Sequence, residues 1–205
     1  QIIFKDLISH YLNIGEYGSI LISKHIIVFL IFFTSGIFFY SICKILFEDK
    51  RFSIISLFIF YLYPYLFGHA HFNPKDIPFL SFWIINTYFL LKIFKDYNKT
   101  NIINFNILSY FALSTAILIS IRIVGILIFL QYLIFIVVYF ENSNKKFLNF
   151  VKLHKLKFIY YILITAFFAF IMNPIFWHNP LEIFNSLKWM SKYQQDICTL
   201  TLGDC

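Results

Sequence analysis

The chain has 205 residues, of which 60% are hydrophobic, 22% aromatic and only 13% charged. A soluble domain carries about 25% charged residues, so this composition, with a mean hydropathy of +0.76, excludes an ordinary soluble fold. The formal net charge of +7 does not mark a nucleic-acid binder, because the basic residues lie in short stretches between apolar blocks and form no basic stripe.

The chain opens on an amphipathic pattern. Ile2, Ile3, Phe4, Leu7, Ile8, Tyr11 and Leu12 recur at helical spacing opposite Lys5, Asp6, Ser9 and His10. Such a pattern suits a helix lying in the membrane interface, closed by Gly15 and Gly18. A first membrane span follows over 25–46, with no charge between Ile26 and Cys43. After a charged turn (Lys44, Glu48, Asp49, Lys50, Arg51), a second, short span covers 53–67 with Pro64 near its far end. A polar segment over 68–78 separates it from a third span over 77–91, which leads into Lys92, Lys95, Asp96 and Lys99.

Residues 101–140 are almost wholly apolar and too long for one crossing, which needs about 20 residues. Arg122 and Gly125 mark the turn, giving a fourth span over 102–120 and a fifth over 123–140. A basic stretch (Lys145, Lys146, Lys152, Lys155, Lys157) precedes a sixth over 158–173. In the tail, Asn179, Pro180 and Glu182 read as a helix start, with Ile183, Leu187 and Met190 on one face. The expected architecture is therefore one all-α, polytopic membrane domain of about six transmembrane helices, with amphipathic interfacial helices at both ends.

Charge gives an orientation. The stretches at 44–51, 92–99 and 145–157 hold eleven of the seventeen Lys and Arg residues, which places them in the cytoplasm by the positive-inside rule. The segment 68–78, Arg122 and both ends then face outward. An outward N-terminus, and a first residue other than Met, lead to the expectation of an upstream span and hence of an internal fragment. Cys43 reads as a packing residue, whereas Cys198 and Cys205 close a small hairpin or find other partners.

The candidate site is the polar segment Gly68-His69-Ala70-His71-Phe72-Asn73-Pro74-Lys75-Asp76-Ile77-Pro78. Irregular backbone and ionisable side chains are costly beside hydrocarbon, so such a segment usually lines a cavity where chemistry or transport occurs. The Asp76 carboxylate suits a base or an orienter of a hydroxyl group; its structural alternative is capping of the third span. His69 and His71, on one side of an extended segment with Asp76 as a third ligand, are enough for a divalent metal, though no strong metal signature is matched. The other readings for the histidines are wet interfacial residues or hydrogen bonds to substrate, the latter shared by Asn73. Lys75 and Arg122 suit an anionic group such as a lipid phosphate, against snorkelling for the first and a headgroup-level turn charge for the second.

The stretch from Tyr63 to Pro78, with its Asn73-Pro74-Lys75-Asp76 core, resembles the second outward loop of bacterial glycosyltransferase family 39 proteins. These are relatives of the protein O-mannosyltransferases and of the lipid A aminoarabinose transferase in the C-type superfamily. Ile121-Arg122-Ile123-Val124-Gly125 and Asn173-Pro174-Ile175-Phe176-Trp177-His178-Asn179-Pro180, leading to Met190-Ser191-Lys192, resemble them as well. The resemblance implies a multi-pass enzyme of the bacterial inner (plasma) membrane, working on its periplasmic, extracytoplasmic face. It implies transfer of a sugar from a polyprenyl-phosphate donor to a lipid, glycan or protein hydroxyl, among membrane lipids, with no nucleotide, no nucleic-acid partner and no certain cofactor. The family's usual catalytic acid lies in the first outward loop, expected upstream of residue 1; Asp6 and Glu16 match no family motif. Asp76 matches the acidic position of the second loop, and Lys75 and Arg122 become candidates for the donor phosphate. A transporter or flippase, which would carry charges deep within its spans, and a non-catalytic scaffold are the alternatives.

Overall fold

A computed structural model describes residues 15–143 and 147–174, together with Trp177, Asn185 and Lys188. The amphipathic helix expected over 2–12, the tail helix after Asn179, and the Cys198/Cys205 pair lie outside the described residues. What is described is all helix: α1 (Glu16–Phe47), α2 (Lys50–Leu62), α3 (Pro64–Phe72), α4 (Asp76–Thr100), α5 (Phe105–Ile121), a 3-10 turn (Ile123–Leu127), α6 (Ile128–Glu141) and α7 (Phe147–Met172).

Four stretches are long and apolar enough to cross a membrane: Tyr17–Phe47, Asp76–Thr100, Ile123–Glu141 and Phe147–Met172. The bent pair α2–α3 makes a fifth, and α5, at 17 residues, falls just short of them and at the lower limit for a spanning helix. The architecture is that of an all-α polytopic membrane protein. Several expected boundaries move. The first span begins at Glu16, nine residues ahead of its apolar block. The third runs through its lysines to Thr100 and ends on Asn101, whose φ of 54° is the left-handed conformation of a helix terminus. The basic stretch before the sixth span is also helical from Phe147 on, because lysine stems pack along an apolar helix while their ammonium groups reach water. That helix breaks once, at His154 (φ −110°, ψ 16°), whose buried ring meets Tyr97 of α4 and Phe150.

The second span is bent. Pro64 pushes the preceding residue out of helical geometry; Tyr63 is extended (φ −62°, ψ 112°), and α3 leaves α2 at 55°. The Tyr63 carbonyl is still satisfied, by the Phe67 amide at 3.0 Å, as a break inside hydrocarbon requires.

Two clusters make the core. Val28, Phe32, Phe60, Ala70 and Ile77 join α1, α2, α3 and the start of α4. Close approach of α1 and α2 depends on Gly36: a Cβ there would lie 2.2 Å from the Tyr61 ring, whose hydroxyl donates to the Phe33 carbonyl. The larger cluster joins α4, α5, α6 and α7 around Phe94, Phe111, Leu118 and Phe150.

Within it lies a polar hub. Asn86 is fully buried; its amide donates to Ser114 Oγ (2.9 Å) and Thr115 Oγ1 (2.8 Å) of α5, and its Oδ1 accepts from Tyr132 of α6 (2.6 Å). Thr115 reaches Tyr161 of α7 at 3.1 Å. Four helices thus share one hydrogen-bonded cluster, a favoured way to join helices where lipid offers no hydrophobic drive. Replacing Asn86 with Leu is expected to lower the stability of the detergent-solubilised protein by about 1–3 kcal/mol, because Tyr132 and Thr115 lose a buried partner. Thermal unfolding of Asn86→Leu beside Tyr132→Phe and the double variant will show non-additive losses if the hub acts as a unit.

Candidate functional site

The polar segment is mostly helical, which corrects the expectation of irregular backbone. Only Asn73, Pro74 and Lys75 separate α3 from α4, and Asn73 organises the junction from both sides. Its backbone N–H donates to His69 O (2.9 Å), closing α3. Its side-chain Oδ1 accepts from the amides of Lys75 (3.2 Å) and Asp76 (2.9 Å), the groups a new helix leaves unpaired. Pro74 lacks an N–H and needs no partner.

The Asn73 amide group then links two functional candidates. One N–H donates to Asp76 Oδ2 (2.8 Å) and the other lies 3.2 Å from His69 Nδ1, so Nδ1 is the acceptor and the His69 proton sits on Nε2. Asp76 is the first residue of α4, where a negative charge complements the helix dipole. Its second oxygen, Oδ1, meets Arg122 Nη2 at 2.5 Å. Asp76 is 53% and Arg122 43% exposed, so the pair is open to solvent and to a reactant. His69, Asn73, Asp76 and Arg122 therefore form one continuous cluster drawn from α3, the α3–α4 junction, α4 and the turn after α5.

Arg122 is delivered by a tight turn. It is extended (φ −147°, ψ 132°) between α5 and the 3-10 turn, and the Gly125 amide donates back to its carbonyl at 2.8 Å. Gly125 is buried against the end of α5: a Cβ there would fall 2.7 Å from the Leu118 carbonyl oxygen. The expected turn is present, and its glycine is required by contact with backbone that has no freedom to yield.

His71 and Lys75 stand apart. On a helix, residues two apart point to different faces, so the two histidines do not converge as an extended segment would make them. His71 Nδ1 bonds the Phe67 carbonyl (2.8 Å) and its ring lies 5.1 Å from Phe29 of α1. The proposed His69/His71/Asp76 metal set is therefore not assembled, and among the described residues no group of three His, Cys, Asp or Glu side chains is placed to hold a metal. Lys75 is exposed and takes part through its backbone amide.

Sequence reasoning missed Tyr65 and Phe72, whose rings flank His69 at 4.2 and 4.9 Å. The signal was present as the i, i+4 spacing of Tyr65, His69 and Asn73, which becomes one face only if the segment is a helix. It also missed that Asn173, just past α7, donates to Ser120 Oγ (2.9 Å) near the end of α5. Asp76, Arg122 and Asn173, one residue from each of the three stretches quoted above, thus stand at one end of the bundle. At the other end Lys157 donates to the Ile103 carbonyl (2.7 Å) and Tyr139 bonds Asn98, among the lysines that charge counting places in the cytoplasm.

Comparison with family models, with curated proteins and with solved structures finds no match to the chain.

Gly125→Ala will displace the Arg122 turn from α5. The expected result is a loss of about 1–3 kcal/mol of stability, together with an Arg122 side chain no longer held at Asp76. Gly68, which has open space around it, is the control: Gly68→Ala will leave the melting temperature unchanged or slightly raised.

Proposed function

We propose that this protein is a membrane glycosyltransferase that moves a sugar from a polyprenyl-phosphate donor to an acceptor hydroxyl on the extracytoplasmic face of a bacterial inner membrane. The observation that carries the reading is the Asp76–Arg122 ion pair, 2.5 Å long and half exposed, at the end of the bundle opposite most of the lysines. A carboxylate and a guanidinium side by side supply what such a transfer needs at one place. The acceptor oxygen attacks the anomeric carbon as its proton passes to a carboxylate. The bond between that carbon and the phosphate oxygen breaks, the electron pair leaving with the lipid phosphate, whose charge a cation stabilises. Asp76, fixed by Asn73 and Arg122, orients the acceptor hydroxyl and accepts its proton. The guanidinium has further N–H donors beyond the one spent on Asp76, and these serve the phosphate. His69 carries its proton on Nε2 between two aromatic rings, in keeping with a hydrogen bond to a sugar hydroxyl.

The test is transfer from radiolabelled polyprenyl-phosphate sugars by membranes that contain the full-length protein. Asp76→Asn keeps one oxygen to accept from either Asn73 or Arg122 but loses the charge, and transfer is expected to fall by about 10²-fold or more with insertion unchanged. Undiminished transfer would remove Asp76 from the mechanism, and an absence of transfer from every donor by the correctly inserted wild type would remove the transferase reading.

A further inference from the structure

We infer that an internal cavity among α4, α5, α6 and α7 is a binding site for one small, uncharged apolar molecule, of the class of xenon or a light hydrocarbon. The cavity measures about 100 Å³, and nine of its twelve lining residues are buried, so it is enclosed by core and not by surface. Leu90 and Ile93 line it from α4, Leu108 from α5 and Phe150 from α7. A cavity of about 150 Å³ lined by Leu, Ile and Phe stays dry and takes up benzene or xenon. Sites that bury drug-sized ligands start at roughly 300 Å³, so the occupant here has few heavy atoms.

The polar side chains in the wall are Tyr132, Tyr161 and Lys157, and each is spent elsewhere. Tyr132 donates to Asn86, and Tyr161 bonds Thr115, both within the polar hub. The Lys157 ammonium donates to the Ile103 carbonyl at 2.7 Å and lies 5.3 Å from the centre of the Phe105 ring, so its charge is already answered. A water molecule needs two to four polar partners, and these side chains leave it none uncommitted. An apolar solute instead supplies the dispersion contacts that the facing rings and methyl groups lack across the void. Ile136 and Phe158 are half-buried and also border the open space between α6 and α7, which gives a solute dissolved in the bilayer its way in. The site shares no residue with the Asp76–Arg122 cluster and stands whether or not the transferase reading does.

The test is NMR of the full-length protein in lipid nanodiscs, with isotope-labelled Ile and Leu methyl groups, under rising xenon pressure. The methyl signals of Leu90, Ile93 and Leu108 are expected to shift along a saturating curve. Those of Leu30 and Ile37, exposed on α1, are expected to drift linearly as xenon dissolves in the lipid. Leu108→Phe fills the cavity, and with a melting temperature at or above that of the wild type it is expected to lose the saturating shift at Ile93. If it fails to fold, Leu90→Phe fills the space from α4 instead; if both fail, the wild-type curves decide. Linear shifts at all of these residues would overturn the proposal. So would a saturating shift at Ile93 that survives the filling variant. Nuclear Overhauser contacts from Ile93 to water or to lipid acyl chains, before xenon is added, would also overturn it, since the cavity would then be wet or already filled by lipid.

Discussion

In hydrocarbon a polar group has no solvent to fall back on, so each one placed there must be answered by another part of the protein. Asn86 sets the most demanding case. It is fully buried, and its amide is answered by Ser114 and Thr115 of α5 and by Tyr132 of α6, with Tyr161 of α7 joined through Thr115. Because the partners come from different helices, the bundle of α4 to α7 has one arrangement in which all of them are met. That fixes the axial register of α4 against α5. Register in turn decides that the first residue of α4 and the turn after α5 stand at the same height, where Asp76 and Arg122 meet.

The candidate site is thus a product of helix ends. Asn73 closes one helix and starts the next, Asp76 occupies the first position of α4, and Arg122 sits where α5 stops. Backbone groups that helices leave unpaired at their ends are satisfied here by the same side chains that hold the charged pair. Stability and the geometry of the pair are therefore coupled at Asn73, whereas Asp76 and Arg122, each about half exposed, add little stability as an ion pair. The residues best suited to chemistry are those the fold needs least.

Much of this was legible in the sequence. Long apolar blocks marked the spans, and lysine distribution sorted the two ends of the bundle in the way that the contacts at Asn98, Ile103 and Asp76 group them. Arg122 and Gly125 were readable as a turn because a lone charge and a glycine interrupt a block too long for one helix. What was not legible depends on contact. The polarity of residues 68–78 suggested a loop, but a two-turn helix is cheap between a proline start and an asparagine stop, and its aromatic face packs against α1 and against His69. Hydropathy placed the start of α7 too late, since Lys152, Lys155 and Lys157 depress it without opposing the helix. The hub around Asn86 left no trace, because a single asparagine, serine or threonine within a span is common and only its neighbours give it meaning.

The bend at Tyr63 also bears on the surrounding lipid. At 1.5 Å per residue, α2 and the tilted α3 together reach about 28 Å, and α5 about 26 Å, against a hydrocarbon thickness of about 30 Å. Straight, the same two helices would exceed that thickness. With α2 upright, the broken span would fall slightly short of an average bilayer, and a bilayer thinned to match it beside α3 would cost fractions of a kcal/mol per Å. Headgroups on that side would then lie closer to the His69–Asn73–Asp76 cluster. A lipid-borne phosphate would then reach Arg122 without leaving its own leaflet, and the membrane itself would become part of the approach to the site.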